Sequence, residues 1–187
     1  NLASMAIVAF FFGALRGTGL PPAPTYIITA LVIVPPMIRV GVDPWVVHFF
    51  AFFLAVWGEL TPPTSVAAAI TAKIANAPFM QTLFHAIEIC IALFVLMAGV
   101  FTRPELVLEP GFAQIGAMLL LATVTIGISF SIQARFSDRP AIDVPLRLVL
   151  AAIAMVVLFH PDQRVAALAC IPVGLFVAYW VLRRRHA

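Results

Sequence analysis

The stretch "WGELTPPTSVAAA", Trp57 to Ala69, sets an acid, three hydroxyls and two consecutive prolines inside one of the most apolar parts of this chain. Upstream runs "WVVHFFAFFLAV", residues 45–56, and downstream the sequence stays small and apolar. Proline has no N–H, so Pro62 and Pro63 would leave the carbonyls of Gly58 and Glu59 without helical partners. Thr61, Thr64 and Ser65 add hydroxyl oxygens at the same level. Thr64 or Ser65 is also placed to cap a half-helix over "VAAAITAKIA". Bare oxygens suit a desolvated Na⁺, and the positive end of a helix suits a carboxylate.

Composition sets the environment. Of 187 residues, 63% are hydrophobic and 10% charged, and the mean hydropathy is +1.09. A soluble domain of this size needs far more charge on its outside. Repeated apolar runs near the length that crosses a bilayer predict an all-α integral membrane protein. The net charge of +3 comes from basic residues scattered among loops, which argues against nucleic acid as a partner and fits the loops of a membrane protein. The opening "NLASMAIVAFFF" has no initiator Met and no basic region before the apolar run, so it does not read as a signal peptide; it reads as a piece of a longer protein. Cys90 and Cys170 lie in apolar runs and are expected as buried small hydrophobes.

Along the chain we expect an apolar arm over 1–15, a Gly/Pro break at 16–24, a second arm over about 25–40, and a long interrupted segment over 45–77. Spans follow near 82–100, 113–133, 144–160 and 165–182. A 15-residue arm rises roughly 22 Å, short of a hydrocarbon core of roughly 30 Å, so the first 40 residues suggest a re-entrant hairpin. Residues 45–77 have the opposite problem. Unbroken, they would run on the order of 50 Å, and the stretch quoted above is where they should break. Placing the tail "LRRRHA" inside puts Lys73 and the loop with Arg135, Arg139 and Arg147 inside as well, the orientation favoured by basic residues.

The break "RGTGLPPAPTY" repeats the same chemistry. Gly17 and Gly19 permit a non-helical turn. Pro21, Pro22 and Pro24 free upstream carbonyls, and Thr18 and Thr25 supply hydroxyls. Two interrupted elements at one depth point to the substrate and ion site of a transporter, because bare backbone survives there only beside protein or a water-filled cavity. Arg16 reads as a guanidinium for a substrate carboxylate, as an ion-pair partner of Glu59, or as a side chain snorkelling to water.

At these residues the sequence resembles the large membrane subunit of tripartite ATP-independent periplasmic (TRAP) transporters, and within that family the fused permeases that work with TAXI-type binding proteins. The resemblance rests on Gly17-Thr18-Gly19-Leu20-Pro21, on Pro35-Pro36 through Gly41-Val42-Asp43-Pro44, and on Glu59-Leu60-Thr61-Pro62-Pro63, in that order and spacing. It is strongest over 1–100. It implies half of an elevator-type transport domain over 1–100 (hairpin 1–40, broken helix 45–77, helix 82–100), with additional C-terminal helices over 101–187. It implies a multi-pass protein of the bacterial inner membrane with a cytoplasmic C-terminus. Such a protein imports a small organic acid with Na⁺ as coupling ion and without other cofactors, and it receives substrate from a periplasmic TAXI-type protein. The N-terminal remainder of the permease would be a further partner, beside the lipid bilayer. Carried onto this sequence, substrate contacts fall on Arg16, Thr18, Pro21, Thr25, Thr61, Pro62, Thr64 and Ser65. Na⁺ contacts, largely backbone, fall on Gly17, Gly19, Gly58, Glu59 and Thr61. Thr18 and Pro22 depart from the residues common in the family, and Glu88 stands where relatives carry a basic residue.

Other constellations are weaker. His85 and Glu88 share a helix face, yet no HExxH or comparable set completes a metal or protease site, so no enzyme is expected. His48 and His160 read as interfacial, "FFAFFLAV" as lipid-facing or packing surface, and the terminal "RRRH" as a topological anchor. The rival reading is a membrane scaffold whose helix breaks serve packing alone.

Overall fold

The structure, a computed structural model, describes residues 7, 8, 11, 20–60 and 65–185. All regular structure among the described residues is α-helical. Among the described residues, five stretches are long and apolar enough to cross a membrane: Pro22–Arg39, Phe79–Thr102, Phe112–Gln133, Pro140–Phe159 and Gln163–Arg183. The chain divides into two compact units, 1–93 and 94–187.

In the first unit, helix α1 runs Pro22–Arg39. It starts earlier than the expected arm at 25, because a proline at the first helical position loses no intrahelical bond. The extra turn brings it to 18 residues, about 27 Å. The argument for re-entry from shortness therefore does not hold for this arm. The helix stops where Gly41, at φ +94°, turns the chain and donates its N–H to the Ile38 carbonyl at 2.9 Å. Asp43 then caps helix α2, Pro44–Gly58, by accepting the Trp45 N–H at 2.8 Å. Helix α3 covers Val66–Ala75 and ends at Asn76 in the left-handed conformation, and helix α4 covers Phe79–Ile89. Helix α1 packs on α2, and α3 on α4. Thr25, Thr29, Ile33 and Met37 form the buried stripe of α1, recurring every fourth residue as one helix face must.

The span expected near 82–100 is helical on both sides of a turn at Cys90–Ile91, as α4 and then α5, Ala92–Thr102. Cys90 and Cys170, expected to be buried, are half-buried and free. In the second unit a short helix α6, Glu105–Leu108, leads to α7, Phe112–Gln133. Helices α8, Pro140–Phe159, and α9, Gln163–Arg185, complete it. Val95 of α5 joins Leu120, Leu121 and Val124 of α7, Val157 of α8 and Ala166 of α9 in one core. A second core gathers Ala134 and Phe136 with Leu150 and Val173.

Candidate functional site

The long apolar segment is interrupted where its prolines predict. Helix α2 ends at Gly58, and the Leu60 N–H bonds back to the Trp57 carbonyl at 2.9 Å. Helix α3 begins at Val66. Neither half reaches across a bilayer alone: α2 has 15 residues and α3 has 10, about 22 and 15 Å. Both edges of the break lie within protein, with Gly58, Leu60 and Ser65 buried and Glu59 half-buried.

Ser65 does what a capping residue does. Its backbone is still outside the helical region, and its hydroxyl accepts the Ala68 N–H at 3.1 Å. Its own carbonyl accepts the Ala69 N–H at 3.1 Å. A helix start has four N–H groups without intrahelical partners, so the second half-helix opens with a concentration of donors and partial positive charge at the break. Along its outward side, Val66, Ile70 and Ile74 recur every fourth residue beside Lys73, lining an open groove of about 500 Å³.

At the start of α1 the structure brings two of the expected contact residues together. Thr25 is fully buried and donates its hydroxyl to the Pro21 carbonyl at 3.0 Å, the same oxygen that accepts the Thr25 N–H at 3.3 Å. The Pro21 carbonyl is therefore occupied, and the Thr25 hydroxyl keeps only its lone pairs for a ligand. Arg16, Gly17, Thr18, Gly19, Thr61, Pro62 and Thr64 lie outside the described residues, as does Pro63.

Two features were not anticipated from sequence. Thr29, one turn after Thr25, is fully buried and its Oγ1 has no hydrogen-bond partner among the described residues. The four-residue spacing of the two threonines was the available signal. Tyr26 Oη and His48 Nδ1 lie 2.9 Å apart and tie α1 to α2; His48, expected as interfacial, has a specific partner. His85 Nδ1 and Glu88 Oε2 do meet, at 3.2 Å, on an exposed face of α4.

Among the described residues, five apolar spans and a helix interrupted within protein define a multi-pass, helical membrane protein. Its family follows from comparison. Residues 2–106 match the model of the tripartite ATP-independent periplasmic transporter, DctM component. That match takes in more than half of the chain, including both Gly/Pro breaks, and the chain belongs to this family of transporter permease subunits. No curated protein and no solved structure matches it.

Proposed function

We propose that this chain forms half of the transport domain of a TRAP permease of the fused TAXI type, importing a small organic acid with Na⁺ across the bacterial inner membrane. The observation that carries this reading is the interruption between Gly58 and Val66, flanked by buried Gly58, Leu60 and Ser65. Backbone carbonyls at the end of α2 and N–H groups at the start of α3 face opposite needs at one depth, the first a cation and the second an anion. Gly58, Glu59 and Thr61, with Gly17 and Gly19 of the Gly/Pro break ahead of α1, would take Na⁺. Arg16, Thr18, Pro21, Thr25, Pro62, Thr64 and Ser65 would shape the carboxylate site, with Thr61 at its edge. A periplasmic TAXI-type protein delivers the substrate, the N-terminal part of the permease supplies the inverted partner of each element, and the C-terminus is cytoplasmic.

The test is uptake of a labelled organic acid by the full permease with its binding protein, with and without an imposed Na⁺ gradient. Thr61→Ala, or Pro62→Ala combined with Pro63→Ala, abolishes Na⁺-driven uptake while membrane insertion is retained. Undiminished uptake by well-inserted variants overturns the assignment of these residues.

A further inference from the structure

The second unit holds an arrangement that transport chemistry does not use. Between the end of α7 at Gln133 and the start of α8 at Pro140, the loop and the last turn of α7 are fastened by side chains from two helices. Asp143 of α8 accepts the N–H groups of Phe136 at 2.6 Å and Ser137 at 3.1 Å. Arg147 of α8 donates to the Ser131 carbonyl at 2.6 Å and to the Ile132 carbonyl. Arg183 of α9 donates to the Phe136 carbonyl and the Asp138 carboxylate. The Phe136 ring is fully buried and stands edge-on to Phe176 of α9, 5.6 Å between centroids. Charge-assisted bonds of this kind fix a rim rather than a mobile loop.

Two open grooves run from this rim. One, of about 400 Å³, is lined by Phe136, Leu146, Leu175, Phe176 and Tyr179. The other, of about 270 Å³, is of mixed polarity, lined by Ser129, Gln133 and Ala134 beside the edge-on pair Phe130 and Trp180. Only 11% of the spanning window of α9 is buried, so this helix presents its apolar length outward.

The charges at the rim do not balance. Asp138 is matched by Arg183, and Asp143 by Arg147 at 3.7 Å. Arg139 has no close partner, and Arg135 reaches Asp143 only by a longer-range Coulombic attraction. Both are exposed, and neither guanidinium carries a hydrogen bond or close ion pair among the described residues. Arg135 sits in the chain between Ala134, which bounds one groove, and Phe136, which roofs the other.

We propose that this end of the second unit binds a diacyl phospholipid with an anionic headgroup. Its phosphate lies on Arg135 and Arg139, with the mixed-polarity groove beside the headgroup, and its acyl chains run along the apolar groove on α9. Guanidinium matches phosphate geometry in a bidentate fork, and a basic rim between spanning helices is the arrangement that recognises anionic headgroups. Tyr179 and Trp180 give the amphipathic rings that settle at headgroup level. A free anion would neutralise the arginines and leave the grooves empty. A second copy of this chain, docked through the same face about a two-fold axis, would oppose like charges.

The test is native mass spectrometry of the full chain released from vesicles of equal phosphatidylglycerol and phosphatidylcholine content. The wild type retains phosphatidylglycerol in preference, by about fivefold for each guanidinium. Arg135→Gln with Arg139→Gln brings the two lipids to parity without changing the thermal midpoint in detergent, because the bonds that fasten the rim come from Asp143, Arg147 and Arg183. Leu175→Trp, which fills the larger groove, lowers retention of both lipids. Equal retention by the wild type, an unchanged preference in the double variant, or a lipid-free dimer joined through this face would each overturn the proposal.

Discussion

The Ser65 hydroxyl accepts the Ala68 N–H at 3.1 Å while Ser65 itself is 2% exposed. The cap bond is therefore made largely within protein. Ser65→Ala removes the acceptor and leaves a buried donor unmatched, so the expected loss is about 1–2 kcal/mol of stability. Ser65→Thr keeps the oxygen and recovers most of it. Thermal unfolding in detergent measures both, and a midpoint for Ser65→Ala equal to that of the wild type would show that the cap contributes nothing.

The Tyr26–His48 bond joins residues 22 apart in sequence, on α1 and α2. If it contributes as a typical intramolecular hydrogen bond does, Tyr26→Phe costs about 1 kcal/mol. A double-mutant cycle of Tyr26→Phe with His48→Ala should return a coupling of similar size. Strictly additive losses would mean the two side chains are only neighbours.

The helical architecture was legible in the sequence because the apolar runs of the later spans are long and their ends carry Pro, Gly or charge. Helices α7, α8 and α9 start within about four residues of where those signals put them. The break after Gly58 was legible for a different reason, since Pro62 and Pro63 remove two donors from a segment too long for one crossing. Other features left no local mark. The turn at Cys90–Ile91 has no Pro, Gly or Asn beside it, and periodicity cannot register a single irregular turn. The pairing of Tyr26 with His48, and of Arg183 with the loop 45 residues before it, are products of tertiary packing. At the candidate site, residue types were readable, whereas the commitment of the Thr25 hydroxyl to the Pro21 carbonyl depends on where α1 begins, and prolines at 21, 22 and 24 allowed several starts.

Two glycines of α7 should respond oppositely to the same change. A Cβ on Gly127 would stand 3.0 Å from the Ala154 Cβ and 3.3 Å from a Val173 methyl, whereas a Cβ on Gly116 meets nothing within 4 Å. Gly127→Ala forces α8 and α9 away from α7 and should cost on the order of 1–3 kcal/mol through overpacking. Gly116→Ala should stabilise by up to about 1 kcal/mol, since alanine loses less backbone freedom in a helix. Thermal midpoints moving in the same direction for both would contradict the close approach at Gly127.

Arg103 is 3% exposed and follows α5 directly. Its Nη2 donates to the His160 carbonyl at 2.6 Å and the Val157 carbonyl at 3.4 Å. These carbonyls belong to the C-terminal end of α8, where the last turn has acceptors without helical donors and partial negative charge. The arginine therefore closes α8 from another segment of the chain. Its Nε and the Glu105 Oε2 are both buried without a partner among the described residues, so the closure carries a cost. Arg103→Met preserves bulk but leaves the carbonyls bare, and the expected destabilisation is about 2–3 kcal/mol. Arg103→Lys retains a donor and the charge but loses the planar fork, placing it between the two. Glu105→Gln lets a half-buried side chain with an unpartnered Oε2 lose its charge and should be neutral or stabilising. Unfolding in denaturant ranks the four proteins, and the order Glu105→Gln at or above wild type, then Arg103→Lys, then Arg103→Met, is the outcome this geometry requires.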